Sequence, residues 1–327
     1  MAIVEQARGE GGARAPSERD VLIAAAALGT IAGPPLPLPV FAARRRRRSG
    51  PRPGWFGLAV PAVVTLLLVF VLPLAFLASN SLHPGGSMGR IGPAWTLDNY
   101  LRFLGDGFYL GILLDTLAIG FLVVAICAVI GYPVAYFLAR TRSGWRGALT
   151  FAVLAPMLIS VVVRNLGWLP VLGDSGLVNW LLLSLGLADQ PVKLVYNLTG
   201  VVIGLVHALS PFMIMSLITV IRRIEPALEE ASINLGAGPF ETFWRVVLPL
   251  SRPGLLAGSL LVFTLSIAAY ITPAMMGGKR VLVMAVFIEQ QVRSVLNYPF
   301  GATAAVVLLS VVTAATLLAL RIGRERQ

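Results

Sequence analysis

The chain has 327 residues, of which 57% are hydrophobic and 13% charged, where a soluble domain carries roughly a quarter charged residues. With a mean hydropathy of +0.83, this excludes a soluble globular protein and leaves an integral membrane protein. The net charge of +11 comes almost wholly from arginine, and the arginines gather at the ends of apolar runs, which sets orientation in a membrane rather than binding nucleic acid.

The first segment, 1–54, reads as a basic, proline-rich cytoplasmic tail. Its apolar stretch, 21–33, is too short to span, and Pro34, Pro35, Pro37 and Pro39 follow it. The run Arg44 to Arg48 comes after the apolar part, whereas a secretory signal places its charges before. The tail is expected to be disordered or to lie on anionic lipid.

A membrane helix needs about 20 apolar residues, because 1.5 Å per residue must cross roughly 30 Å of hydrocarbon. Six segments within 55–327 qualify, at about 56–79, 110–139, 148–168, 199–221, 254–276 and 301–320. Pro61, Pro73, Pro133, Pro156 and Pro211 fall inside them, as membrane helices allow where neighbouring groups take up the freed carbonyls. The expected fold class is all-α integral membrane. With the N-terminus inside, 19 Lys and Arg lie on the cytoplasmic side and 7 outside, so both termini are expected in the cytoplasm.

Three stretches then fall outside. Residues 80–109 are polar. Residues 169–198 hold the Gly173-Asp174-Ser175-Gly176 turn and a short apolar piece, Leu177 to Leu187. Residues 277–300 hold a short helix candidate, Val281 to Leu296. The single cysteine, Cys127, forms no disulfide within the chain and reads as a buried side chain. His83 and His207 lie in different regions, so no metal site is visible, and no nucleophile has a base at a recognisable spacing.

The most regular polar stretch is the loop 222–253, on the expected cytoplasmic side. Pro226 suits the first turn of a helix, and Glu229 and Glu230 sit near its positive end. Leu228, Ala231, Ser232 and Leu235 fall at i, i+3, i+4 and i+7, one narrow face. Gly236 stops the helix by taking positive φ, and Gly238-Pro239 makes a turn. Phe240, Phe243, Trp244 and Val247 form a second amphipathic piece, expected to end before Pro249. A short helix across the membrane surface, flanked by Arg222, Arg223, Arg245 and Arg252, has the shape of a docking element.

The stretch reads E-A-S-x3-G-x9-V-x-L-P, carried by Glu230, Ala231, Ser232, Gly236, Val246, Leu248 and Pro249. It resembles the EAA loop of permease subunits from binding-protein-dependent ABC transporters, E-A-A-x3-G-x9-I-x-L-P. Ser232 stands for the family's second Ala and Val246 for its Ile, both compact changes. The resemblance covers most of 55–327. Gly131-Tyr132-Pro133-Val134-Ala135-Tyr136, Ile271-Thr272-Pro273-Ala274 and Gly277-Gly278 are similar to the spermidine/putrescine branch.

The resemblance implies the type I ABC importer permease fold, in the bacterial cytoplasmic (inner) membrane, with a cytoplasmic coupling helix. It implies a dimer of ATPase subunits on other chains holding ATP and Mg, a second permease subunit, identical or related, and an extracytoplasmic solute-binding protein. It also implies that the loop moves as a lever while the pathway alternates its access, carrying a small, possibly polyamine-like solute. No cofactor is expected on this chain and no enzyme activity. In agreement, no G-x4-G-K-[ST] phosphate loop occurs, Gly277-Gly278-Lys279-Arg280 lacking the first glycine.

Candidate pathway residues are fewer. Arg164 is a charge within a predicted segment, either functional or snorkelling to the interface. His207 is either pore-lining or bonded between helices. Asp115 and Glu289 are acids that suit a cationic solute, or a helix-start carboxylate and a solvated face respectively. Tyr270 lies near the end of the fifth span, where packing is the plainer reading. The alternative function, an ion-coupled secondary transporter or channel, calls for paired intramembrane charges or inverted repeats, and neither is visible.

Overall fold

A computed structural model describes residues 53–85 and 91–324. The tail expected over 1–54 lies outside the described residues up to residue 52, as does Arg90. The chain divides into two units, Met1–Thr65 and Leu66–Gln327. The described part of the first is the opening of helix α1 (Pro53–Ser81), where the Thr65 hydroxyl donates to the Pro61 carbonyl at 2.8 Å.

The second unit continues α1 and adds α2 (Asp98–Gly105), α3 (Gly107–Arg140), α4 (Arg146–Leu158), α5 (Val161–Leu172), α6 (Leu177–Ser184) and α7 (Leu198–Ile221). After these come α8 (Pro226–Asn234), α9 (Pro239–Thr242), a π turn (Phe243–Val247), α10 (Leu248–Ala268), α11 (Ile271–Met276), α12 (Met284–Arg293) and α13 (Tyr298–Arg324). Regular structure among the described residues is helical, apart from an isolated bridge between Gly85 and Ile91. Six helical stretches there are long and apolar enough to cross a membrane: Val60–Ser81, Gly107–Arg140, Val161–Ser184, Leu198–Ile221, Pro239–Ala268 and Tyr298–Arg321.

Helices α3, α7 and α10 form the centre. Val123, Val201, Met213, Leu217, Ile221 and Val262 are fully buried there. In lipid the apolar effect does not drive helices together, so close packing of small residues does. At Gly254 of α10, a Cβ would stand 2.8 Å from Val220 Cγ2 and 3.2 Å from the Ser216 carbonyl. The Ser216 hydroxyl donates to the Gly254 carbonyl at 2.8 Å across the same contact. Helices α3 and α7 are also capped. Asp106 accepts from the Phe108 N–H at 2.9 Å, and Asn197 from the Gly200 N–H at 3.0 Å.

A second cluster, Phe103, Tyr109, Ile112, Met284, Phe287 and Phe300, joins α2, α3, α12 and α13. Phe300 meets Tyr109 and Phe287 edge to face, Tyr109 at 4.9 Å, while Phe103 stacks on Tyr109, and the Arg102 guanidinium lies 5.0 Å over Phe300.

Two expected spans are interrupted. The third, 148–168, is not one helix: α4 stops at Leu158, Ile159 and Ser160 are extended, and α5 begins at Val161. Pro156 carries no N–H for the Ala152 carbonyl, so the last turn of α4 is already weakened where the helix stops. The Pro156 carbonyl, left without a helical partner by the break, accepts instead from Arg164 Nη1 at 2.8 Å. The stretch of membrane length is therefore Val161–Ser184, which includes the piece from Leu177 read as too short to span. The fifth span ends at Ala268, and α11 follows as a separate short helix. Asn165 of α5 and Thr272 of α11 tie the two pieces together. The Asn165 Nδ2 donates to Thr272 Oγ1 at 3.1 Å, and the residues are 0% and 2% exposed.

Candidate functional site

The loop 222–253 is built by its own residues. Glu225 is extended and Pro226 takes the first helical position, where its missing N–H has no partner to lose. Helix α8 runs nine residues and ends at a glycine in the left-handed region: Gly236 has φ +93°. The Ala237 N–H donates to the Ser232 carbonyl at 3.1 Å and the Gly236 N–H to the Ile233 carbonyl at 2.9 Å. These are the paired bonds of a Schellman stop, which a side chain at Gly236 would strain through φ rather than through crowding, since a Cβ there meets nothing within 4 Å.

The second piece departs from expectation. It does not end before Pro249; α9, the π turn and α10 form one continuous run from Pro239 to Ala268. The Leu248 N–H reaches back to the Phe243 carbonyl, five residues earlier. A wider turn just ahead of a proline accommodates its ring and the hydrogen bond it cannot make. Val246 lies within this turn, with Leu248 and Pro249 beginning α10.

The face that α8 turns toward the body is polar. Glu229 and Ser232 are partly buried, while Leu228, Glu230, Ala231, Ile233 and Leu235 are exposed, Leu235 to 90%. The expected face of Leu228, Ala231, Ser232 and Leu235 is therefore not the packed one: only Ser232 turns inward, its hydroxyl 3.0 Å from that of buried Thr242. Phe240 and Trp244 are exposed as well, and a depression of ≈ 420 Å³ lined by Ser232, Leu235, Gly236, Ala237, Glu241 and Arg245 opens beside them. Outward apolar side chains around an acidic tip make a surface suited to a partner.

Behind the loop, three side chains of α3 reach it from one helix face, at i, i+4 and i+8. The Tyr132 and Ser251 hydroxyls lie 2.5 Å apart, and the Tyr132 ring meets Phe243 edge-on at 5.0 Å. The Tyr136 hydroxyl donates to Glu229 Oε2 at 2.6 Å. Arg140 forms an ion pair with Glu229 Oε1 and donates from Nη1 to the Ile224 carbonyl at 3.0 Å. The Arg140 and Glu229 side chains are only 20% and 13% exposed.

The remaining candidates lie apart from the loop. Arg164 is engaged with the Pro156 carbonyl, a cation at the end of a broken helix. His207 Nδ1 accepts from Trp168 Nε1 at 3.1 Å, which leaves its proton on Nε2. Exposed Asp115 lines a cavity of ≈ 240 Å³ with Leu198, Arg280, Val281 and Leu282. Glu289 lies 3.7 Å from Arg293 on the same helix. Tyr270 sits at the break between α10 and α11, 38% exposed. Among the described residues no hydrogen bond or ion pair joins these five to one another.

Residues 25–324 match the family model of the binding-protein-dependent transport system inner membrane component. The spermidine/putrescine transport system permease protein PotB of Escherichia coli (strain K12) is 34% identical over 250 residues, covering 76% of this chain and 90% of the relative. Among solved structures, a bacterial alginate ABC transporter in complex with an alginate pentasaccharide-bound periplasmic protein has a chain of TM-score 0.69 at 17% identity, covering 83% of this chain and 94% of that one. The inward-facing methionine transporter MetNI gives 0.52 at 21%, covering 68% and 99%. The chain belongs to the binding-protein-dependent permease family. It is a multi-pass inner-membrane subunit of an ABC importer, with the type I permease fold, and it is a transport component rather than an enzyme.

Several residues that hold this permease together are not marked as such by their sequence context. Glu229 reads only as an acid near a helix start, and Arg140 as one of the 19 charges counted on the cytoplasmic side. Their joint signal was that each is a charge beside the apolar run of a different segment. Asn165 was a visible clue of another kind, an amide inside an apolar stretch, which must find a partner there.

Proposed function

We propose that this permease works in an ATP-driven importer in which the 222–253 loop is the docking and coupling element for a separate ATPase. The loop and both termini face the cytoplasm, as the arginine distribution asks. ATP and Mg belong to a dimer of ATPase subunits, the pathway is completed by a second permease subunit, and a solute-binding protein delivers cargo from outside. The observation that carries this reading is the outward face of α8, where Glu230, Ala231 and exposed Leu235 precede a glycine-built stop. A helix that turns polar side chains inward and leaves apolar ones exposed is incomplete without a partner.

The cargo we infer is a small organic cation of the polyamine kind. The support is the relative named for spermidine and putrescine, 34% identical over most of both chains. Asp115 and Glu289 are the acids on the expected outer side that suit such a cation. Arg164 has a structural occupation at Pro156, which weakens it as a cargo contact. His207 and Tyr270 remain candidates for the pathway wall.

The test is reconstitution of the importer with Glu230→Lys or Gly236→Asp. Both variants are expected in the membrane in normal amount, with loss of ATPase co-purification or of ATP-driven uptake of radiolabelled spermidine. Normal co-purification and normal uptake in both variants would overturn the docking role. Spermidine uptake driven by an ion gradient without ATP would favour a secondary transporter instead.

A further inference from the structure

We propose that the Tyr132–Tyr136–Arg140 face of α3 is the strut that carries displacement of α8 into the membrane, Tyr136 and Arg140 acting as positioning residues through Glu229. This rests on the reading that an ATPase docks on the loop.

The argument starts from how little else holds α8. None of its nine residues is buried. It joins α7 through Arg222–Glu225 and the next helix through a turn containing Gly236 and Gly238. The first connection is a hydrogen-bonded turn ending at buried Ile224, itself held by Arg140, and the second contains two glycines, which adjust their backbone angles before they move a neighbour. What remains are side-chain links. Ser232 reaches Thr242, only ten residues along the chain. Glu229 reaches α3, 89 residues away in sequence, and is held there by two groups, the Tyr136 hydroxyl and the Arg140 guanidinium.

The receiving element is suited to carry load. α3 is a 34-residue helix packed along α7 and α10 through the central core. Its three gripping residues together hold three points of the loop. Arg140 holds the entry at Ile224 and the middle of α8 at Glu229. Tyr136 holds Glu229 again. Tyr132 holds the exit at Ser251. The links are charge-assisted or hydroxyl hydrogen bonds, directional and short, and the ion pair is mostly shielded from solvent. Arg140 also donates to the Ile224 carbonyl, two residues before α8, so one guanidinium fixes the entry to the helix and the orientation of its acid. Phe108, in the first turn of α3 and exposed, lies 32 residues from Arg140, about 48 Å along a straight helix. If the strut carries motion, that far end responds to nucleotide.

The experiment uses the full importer with its ATPase, second permease and binding protein in proteoliposomes. Phe108→Cys is the reporter, and native Cys127 stays because it is fully buried. The labelling rate by a membrane-impermeant maleimide is compared without nucleotide and with ATP plus orthovanadate. A nucleotide-dependent difference is expected with the strut intact. Glu229→Gln and Arg140→Gln are expected to lose that difference while the ATPase still co-purifies and hydrolyses ATP. The exchanged pair Arg140→Glu with Glu229→Arg is expected to recover part of it.

The strut is overturned if reporter labelling ignores nucleotide in the otherwise unchanged complex, or if the difference persists in Glu229→Gln and Arg140→Gln. It is also overturned if those variants shed the ATPase, for then they only fold the docking surface. Failure of the docking reading looks different: Glu230→Lys and Gly236→Asp would keep both the ATPase and normal uptake, whatever the strut variants do. Should the charge variants not accumulate in the membrane, Tyr136→Phe decides, since it removes a single hydroxyl. A reduced nucleotide response supports the strut and an unchanged one sinks it.

Discussion

Where α7 meets α10 the contact is made by removing side chains; where α3 meets the 222–253 loop it is made by extending them. At Gly254 the backbones approach until the Ser216 hydroxyl bonds directly to a main-chain carbonyl. At the loop, Tyr132, Tyr136 and Arg140 span the gap with long, polar groups and touch few points. The first arrangement resists sliding through close backbone contact. The second is a joint: it fixes the loop at named atoms, and those bonds are ones that water or a partner can also make. A transporter needs both, a body that moves as one piece and a handle held to it at defined positions.

The sharpest way to break the comparison is to add a side chain in the packed centre. Gly254→Leu puts its Cβ against Val220, a β-branched residue with one preferred rotamer, and against the Ser216 backbone. Neither yields easily, so the expected cost is about 3 kcal/mol, the upper range for overpacking. Thermal unfolding of the purified permease in detergent checks it, with a large fall in midpoint expected. A midpoint unchanged from the parent would mean that the centre is looser than its geometry states.

The two regions were also unequally legible. The six apolar stretches, the stop at Gly236 and the outward tip at Glu230 follow from hydropathy, glycine chemistry and motif spacing, all local in the chain. The inner face of α8 was not legible, because its partner Arg140 is 89 residues away and nothing local distinguishes Glu229 from Glu230. The break at Ile159 was half-visible. Pro156 announced a weakened turn, but a proline inside a membrane helix is often tolerated, and only the structure shows Arg164 taking up the carbonyl. The run through Pro249 was misread for a related reason: a π turn changes the register just where a proline would otherwise end a helix.

A smaller effect sharpens what holds the interrupted spans. Asn165 and Thr272 are a buried polar pair, an intermediate case between the packed centre and the polar joint. A double-mutant cycle with Asn165→Leu and Thr272→Val is expected to give a coupling of about 1 kcal/mol, typical of hydrogen bonds between membrane helices. Additive losses would show that α5 and α11 are held by shape alone.

The smallest expected effect lies at Ser232, and its size is informative because two contributions oppose. Ser232→Ala removes the hydroxyl contact with Thr242, 3.0 Å long and joining α8 to α9. A hydrogen bond of this kind contributes about 1 kcal/mol net. Against this, alanine favours a helix over serine by about 0.5 kcal/mol, and the position lies in the last turn of α8, partly buried rather than sealed. The net change is expected within about 0.5 kcal/mol, with the unfolding midpoint and ATPase co-purification both close to the parent's. Thr242→Val removes the same contact but leaves behind the Ser232 hydroxyl, which is only partly buried and can turn to water, whereas Ser232→Ala orphans the buried hydroxyl of Thr242. It is expected to cost no more than Ser232→Ala in the same unfolding measurement. If the order is reversed, the α8–α9 contact is carried by something other than this pair of hydroxyls, and the loop is less of a joint than its geometry indicates.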